Sequence, residues 1–345
     1  MIFYLIHYFF ATIIVIYKKR STIISCWLIS VLSIIAIIGL RNEQVGTDTT
    51  AYYRIFRTVS RNPEAWNGEL LFIYFNRMIS YFGGGPEAVI FFSALITVGI
   101  ITYTIYRYSP SLLLSLSLFF AFGFFAQFFN GMRQAIAIAL ILYSIKYIIN
   151  NNFIKFLIII IFAMGFHATS IIFFPVYFLA KAKLNWVHCL IIWMLSFVFI
   201  IKHDLMFLII NRMVFFIPER QMLHIFNSFG RDALGIRLFF MQFIMLLLLF
   251  AYKKIRNKEN KIILLLSIFG IIADNICFNA GVLKRLTHFF SIFLLIGIPV
   301  AIDFTFKKYA AIVVKYFLYI CCIVLFVNAL LSGTNGIVPY FSIFR

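Results

Sequence analysis

The chain has 345 residues, 64% hydrophobic and 12% charged, which excludes a soluble globular protein, where about a quarter of residues are charged. Its 30 basic and 11 acidic residues leave a net charge of +19, yet no basic, aromatic-interleaved soluble surface exists, so nucleic acid is not an expected partner. The five cysteines lie in or beside apolar runs without metal-ligand spacing, and neither a metal nor a cofactor is expected.

Apolar windows of crossing length follow one another at about 2–17, 22–40, 86–106, 111–129, 134–149, 153–166, 168–180, 184–201, 236–252, 262–280, 286–303 and 310–330. They predict an all-α polytopic membrane protein of about 12 transmembrane helices, one domain over 1–345 with outer loops 41–85 and 202–235. The first window precedes its positive cluster Lys18–Arg20, the reverse of a cleavable signal, and reads as a span with an outside N-terminus. The short pair 153–166 and 168–180, near Gly165 and Pro175, suits tilted or broken helices. Leu70–Phe82 is amphipathic, too short to cross easily, and ends at Gly83-Gly84-Gly85-Pro86, which predicts an interfacial or re-entrant helix. The stretch 203–229 mixes apolar residues with Arg212, Glu219, Arg220 and His224 and suits helices lying over an outer mouth. No internal repeat is visible, which disfavours a transporter built from duplicated halves.

These spans separate the two basic residue types. Thirteen of the fifteen lysines fall on one side, and twelve of the fifteen arginines on the other. Lysine-rich connections mark the cytoplasmic side. Arginines gathered outside need another explanation, and their planar forks suit bidentate binding of phosphate or carboxylate.

Four outer motifs could carry chemistry. In Arg41-Asn42-Glu43-Gln44-Val45-Gly46-Thr47-Asp48-Thr49-Thr50-Ala51-Tyr52-Tyr53, Gly46 permits a tight turn. Asp48 and its threonine neighbours either cap the following helix, or Asp48 accepts bonds from sugar hydroxyls while Tyr53 stacks on a ring. Asn130-Gly131-Met132-Arg133-Gln134 opens a span, and its arginine either anchors the helix at the interface or, beside the free N–H groups of a helix start, makes an anion site. Gly165-Phe166-His167-Ala168-Thr169-Ser170 places His167 at an outer turn, where it is either a structural side chain or a neutral imidazole that takes a hydroxyl proton. Lys284-Arg285-Leu286-Thr287-His288 puts Arg285 and His288 on one helix face, and Arg237 starts a third helix. Arg133, Arg237 and Arg285 at one membrane level could converge on a diphosphate. Asp274, inside a span beside Asn275, is either a site residue or the partner of one of these arginines.

These motifs resemble the EpsG-type family of bacterial polysaccharide polymerases, which are similar to the Wzy-type O-antigen and capsule polymerases. The residues carrying the resemblance are Arg41 with Val45-Gly46-Thr47-Asp48-Thr49 and Tyr52-Tyr53, Met132-Arg133-Gln134-Ala135-Ile136-Ala137, Phe166-His167 with Ser170 and Pro175, and Arg285-Leu286 with Phe289-Phe290 and Pro299. The last motif departs from the pattern, since Phe289-Phe290 offers no hydroxyl where a tyrosine is expected.

The resemblance implies a metal-independent, inverting glycosyltransferase of GT-C architecture in a bacterial inner or plasma membrane, with its active site facing the periplasm or exterior. A glycan on undecaprenyl diphosphate would be transferred to the nonreducing end of a lipid-linked repeat unit. The expected partners are undecaprenyl-diphosphate-linked oligosaccharides, membrane lipid and a chain-length regulator protein. The implied catalytic residues are His167 and Asp48. The implied substrate contacts are Arg41, Tyr53, Arg133, Gln134, Arg237, Arg285 and His288. Competing readings are an O-antigen ligase-like transferase and a lipid-linked oligosaccharide flippase. A larger outer loop would favour the first, and cations deep in a central cavity would favour the second.

Overall fold

The computed structural model describes residues 1–13, 20–202, 204–212, 228–229, 235–333 and 335–344. The expectations for Lys18, Lys19, Glu219, Arg220 and His224 lie outside the described residues. The described chain is helical, with one isolated antiparallel bridge between Arg41 and Ser342. It divides into two compact units, one of Met1–Phe174 with Ile312–Arg345 and one of Pro175–Ala311.

In the first unit the helices are α1 (Ile2–Ile13), α2 (Arg20–Gly39), α3 (Thr49–Arg61), α4 (Leu70–Tyr81), α5 (Pro86–Tyr108), α6 (Leu112–Ala121), α7 (Phe124–Asn130), α8 (Met132–Ile149) and α9 (Phe153–Phe166). α5 packs against both α2 and α8, and α8 packs against α9. α3 and α4 behave differently from the long apolar helices. α3 buries Tyr52, Tyr53, Phe56 and Val59 on one stripe and leaves Arg54, Arg57 and Arg61 exposed. α4 buries Phe72, Phe75, Asn76 and Ile79 at helical spacing but exposes Leu70, Tyr74, Met78 and Tyr81. An apolar outer face on a helix of 12 residues fits one lying in a membrane interface.

The second unit holds α10 (Val176–Leu179), α11 (Trp186–Ile201), α12 (Leu205–Arg212), α13 (Ile236–Lys254), α14 (Lys258–Ile276), α15 (His288–Ser291) and α16 (Leu294–Thr305). α17 (Lys308–Leu331) leads back to the first unit. A buried polar chain locks α11, α13 and α14 together. Trp193 Nε1 donates to Gln242 Oε1 (2.8 Å), Gln242 Nε2 to Asn275 Oδ1 (3.0 Å), and Asn275 Nδ2 to Ser196 Oγ (2.9 Å). Each donor meets an acceptor, as a low-dielectric interior requires.

Each of the twelve expected windows holds helix, the first described only as far as Ile13. By length and composition, Pro86–Tyr108, Met132–Ile149, Ile236–Lys254 and Lys308–Leu331 can cross a membrane, or up to seven spans if three bent pairs each count as one. Among the described residues, Phe153–Phe166 is shorter than the ~20 residues a bilayer core needs, and the first window is described only over Ile2–Ile13. α14 carries Lys258, Glu259, Lys261 and Asp274. The window at 111–129 breaks between α6 and α7, which meet at 52°. The bend sits at Gly123, whose φ of +83° favours glycine.

α8 and α9 form an antiparallel hairpin, with Asn151 in the left-handed region at the turn. Their shared turn end carries Lys146 and Lys155. The other end carries Arg133 and His167. Lysine and arginine therefore mark opposite ends of this helix pair.

Candidate functional site

The loop Arg41–Asp48 enters α3 through backbone geometry only glycine tolerates well. Gly46 has φ +96°, and a Cβ there would lie 2.7 Å from Asn130 Oδ1. That oxygen instead accepts the Thr47 N–H at 2.7 Å, while Asn130 Nδ2 donates to the Asn335 carbonyl at 2.9 Å. The C-terminal segment covers the loop, with Gly46 N–H donating to the Gly336 carbonyl and Asn42 N–H to that of Phe341, both at 2.8 Å.

Arg41 lies beneath this cover with none of its surface exposed. Its Nη2 donates to the Phe129 carbonyl at 2.7 Å, its Nη1 to the Ile38 carbonyl, and its Nε to Thr49 Oγ1 at 3.3 Å. Burial lowers its pKa to about 10, so it remains charged at neutral pH. All three nitrogens thus meet protein acceptors, on α2, α3 and α7, which favours a structural role over the expected sugar contact.

The hairpin end opposite the lysines gathers the reactive side chains. Glu69, just before α4, places Oε2 in an ion pair with Arg133 Nη1 and Oε1 at 3.3 Å from His167 Nδ1. The guanidinium sits over the rings of Trp66 (5.3 Å) and Phe72 (5.9 Å). Tyr52, from α3, faces Arg133 with its hydroxyl. Burial raises the Tyr52 pKa, and the Arg133 charge pulls against that. Burial would also raise the pKa of Glu69, but the adjacent His167 and the Arg133 charge more than offset it and hold the carboxyl at about 2. The side chains of Arg133, His167 and Glu69 keep 28%, 24% and 15% of their surface, so the cluster is sheltered yet reachable. Beside it runs an open groove of about 470 Å³ between α4 and α9, lined by Leu71, Phe75, Met78, Phe162 and Phe166, with Arg77 on its wall.

In the second unit, Arg237 on α13, Asp274 and Asn275 on α14, and Lys284 in the turn before α15 line a cavity of about 120 Å³ floored by Leu238, Met241 and Phe278. His288 lies within electrostatic reach of Arg237, Lys284 and Arg285. Among the described residues, Asp274 Oδ2 has no hydrogen-bond partner.

A family model described as the EpsG family matches residues 24–342. The chain belongs to the EpsG family. No curated protein and no solved structure matches it. EpsG-family membership, that of Wzy-type polysaccharide polymerases, fits the apolar helices of this chain and points to polysaccharide biosynthesis in a membrane.

Within this EpsG-family chain the first unit brings Arg133 and His167 together, and in the second unit Arg237, Lys284 and Arg285 act electrostatically on His288. Gln134 is buried in the first turn of α8, beside Gly131. Tyr53 is buried too, its hydroxyl pushed up to about 12 by burial and by Glu87. Asp48 caps nothing with its side chain and accepts instead from Thr47 Oγ1 at 3.1 Å. Sequence reasoning missed Glu69, Tyr52, Trp66 and Lys284 as site members. The available signal was Glu69 itself, an acid within an arginine-rich outer stretch. Mapping the cations alone passed over it.

Proposed function

We propose that this protein is a membrane glycan polymerase that transfers an undecaprenyl-diphosphate-linked glycan to the nonreducing end of a lipid-linked repeat unit, with inversion and without metal, at the outer membrane face. The carrying observation is the meeting of Arg133 and His167 at one sheltered carboxylate. A glycosyl transfer from a lipid diphosphate needs a base for the acceptor hydroxyl and fixed positive charge for the departing oxygen. His167 serves as the base and Arg133 stabilises the leaving diphosphate. The adjoining apolar groove, with Arg77 on its wall, suits a polyprenyl chain whose head group lies at the cluster. Arg237, Arg285 and His288 act as substrate contacts in the second unit. The helical, multi-span architecture is compatible with a GT-C transferase.

The test is glycan gel analysis of cells carrying Arg133→Ala, His167→Ala or Arg285→Ala. Each should lose long chains while single lipid-linked repeats accumulate. Normal chain-length ladders in all three would remove the catalytic assignment.

A further inference from the structure

We propose that Glu69 is a positioning residue for proton transfer, fixing the tautomer of His167 with one carboxylate oxygen while it aims the Arg133 fork with the other. The inference rests on the polymerase reading above and adds a component that neither the family nor the sequence motifs supply.

Its first support is what Glu69 does not do. It occupies the residue before α4, where acidic side chains commonly cap the helix start, yet its carboxylate makes no capping bond. Both oxygens turn instead to partners on other elements, Oε1 to His167 at the end of α9 and Oε2 to Arg133 at the start of α8. α4 packs on α9, and α9 on α8, so three packed helices hold the three groups.

The second support is chemical. A carboxylate at Nδ1 favours the tautomer with the proton on that nitrogen, leaving the Nε2 lone pair for the acceptor hydroxyl. As the acceptor oxygen bonds to the anomeric carbon, its proton passes to Nε2. The bond from that carbon to the diphosphate oxygen breaks, and the electron pair leaves with the lipid diphosphate. The imidazolium so formed stands beside an anion, and the new charge on the leaving group stands before Arg133. The charged and titratable groups around the imidazole are Glu69 from α4, Arg133 from α8 with Tyr52 of α3 behind it, and Arg77 on the groove wall that Phe166 shares.

The test uses full-length protein in nanodiscs and lipid-linked repeat units extracted from cells lacking the polymerase. Glu69→Gln should lower kcat by about 10²- to 10⁴-fold with little change in KM. Glu69→Asp, which keeps a carboxylate, should recover part of the lost kcat, and in Glu69→Gln the proton should no longer be held on Nδ1. Nitrogen-15 NMR of histidine-labelled wild type, assigned by difference against His167→Ala, should show the proton on Nδ1. The proton on Nε2 in the wild type overturns the inference, whatever the variants do. So does a Glu69→Gln enzyme that loses rate while the His167 proton stays on Nδ1, the signature of Glu69 merely pinning Arg133. If His167→Ala polymerises normally, the polymerase reading itself fails. If His167→Ala is dead and Glu69→Gln is wild type, only the role of Glu69 fails.

Discussion

Arg41→Ala separates a scaffold residue from a substrate contact. The substitution removes a guanidinium with no exposed surface, its bonds to Ile38, Thr49 and Phe129, and its packing 5.2 Å over the Phe129 ring. Hydrogen bonds from a charged donor contribute about 1.5–3 kcal/mol each, and a buried acceptor left without one costs about 1–3 kcal/mol. Relief of the arginine's own desolvation, several kcal/mol, opposes these losses. The balance should fall near 3–5 kcal/mol, the range for removing one partner of a buried charged contact. At ~2–4 °C per kcal/mol for a unit of this size, the melting temperature should drop by roughly 6–20 °C. Thermal unfolding of the detergent-purified protein, read by tryptophan fluorescence, measures this directly, and gels from the same cells report chain length. Arg41→Lys should fall between, since one ammonium cannot reach all three acceptors. An Arg41→Ala protein that melts like wild type yet makes no polymer would refute the reasoning and return Arg41 to the substrate.

Three further outcomes follow from the geometry. Gly46→Ala should destabilise by about 2–3 kcal/mol, from left-handed strain and the displaced Asn130 bond, and should be non-additive with Asn130→Ala in unfolding scans. The folded-state pKa of Glu69 lies below its ordinary 4.5, so its stabilisation is complete above about pH 4.5 and is lost as pH falls toward about 2; Glu69→Gln should flatten that part of the stability–pH curve. Arg133→Lys should fail to make long chains, because a point charge cannot serve Glu69 and a phosphate as a fork does, and wild-type ladders from that variant would reduce Arg133 to an interface anchor.

Hydropathy revealed the helices because burial in lipid and burial in protein both demand apolar runs. It says less about the crossings, of which four to seven stand by length and composition among the described residues, since a window does not record a bend such as that at Gly123 or the short reach of Phe153–Phe166. Arg133 and His167 were legible as chemistry-bearing residues at the ends of helices. Their shared partner was not, because Glu69 reaches them only through the packing of α4 on α9. The burial of Arg41 was hidden for a related reason. In sequence it is one more outer arginine, and the segment that seals it arrives about 300 positions later, as the Tyr4 hydroxyl bond to the Ile337 carbonyl illustrates with its separation of 333. Asp48 looked like a cap, but its backbone (φ −108°, ψ −3°) lies outside the extended region a capping residue normally adopts.

The strap formed by residues 335–343 has a consequence for biogenesis. The Gly-Thr-Asp loop is translated early, yet its closing bonds to Gly336 and Phe341 become available only after the whole intervening helical unit has emerged and been inserted. Contacts of such long sequence separation form late, after the loop-closure entropy has been met. Until residues 335–343 have been made, the Arg41 loop lacks the cover that these bonds supply.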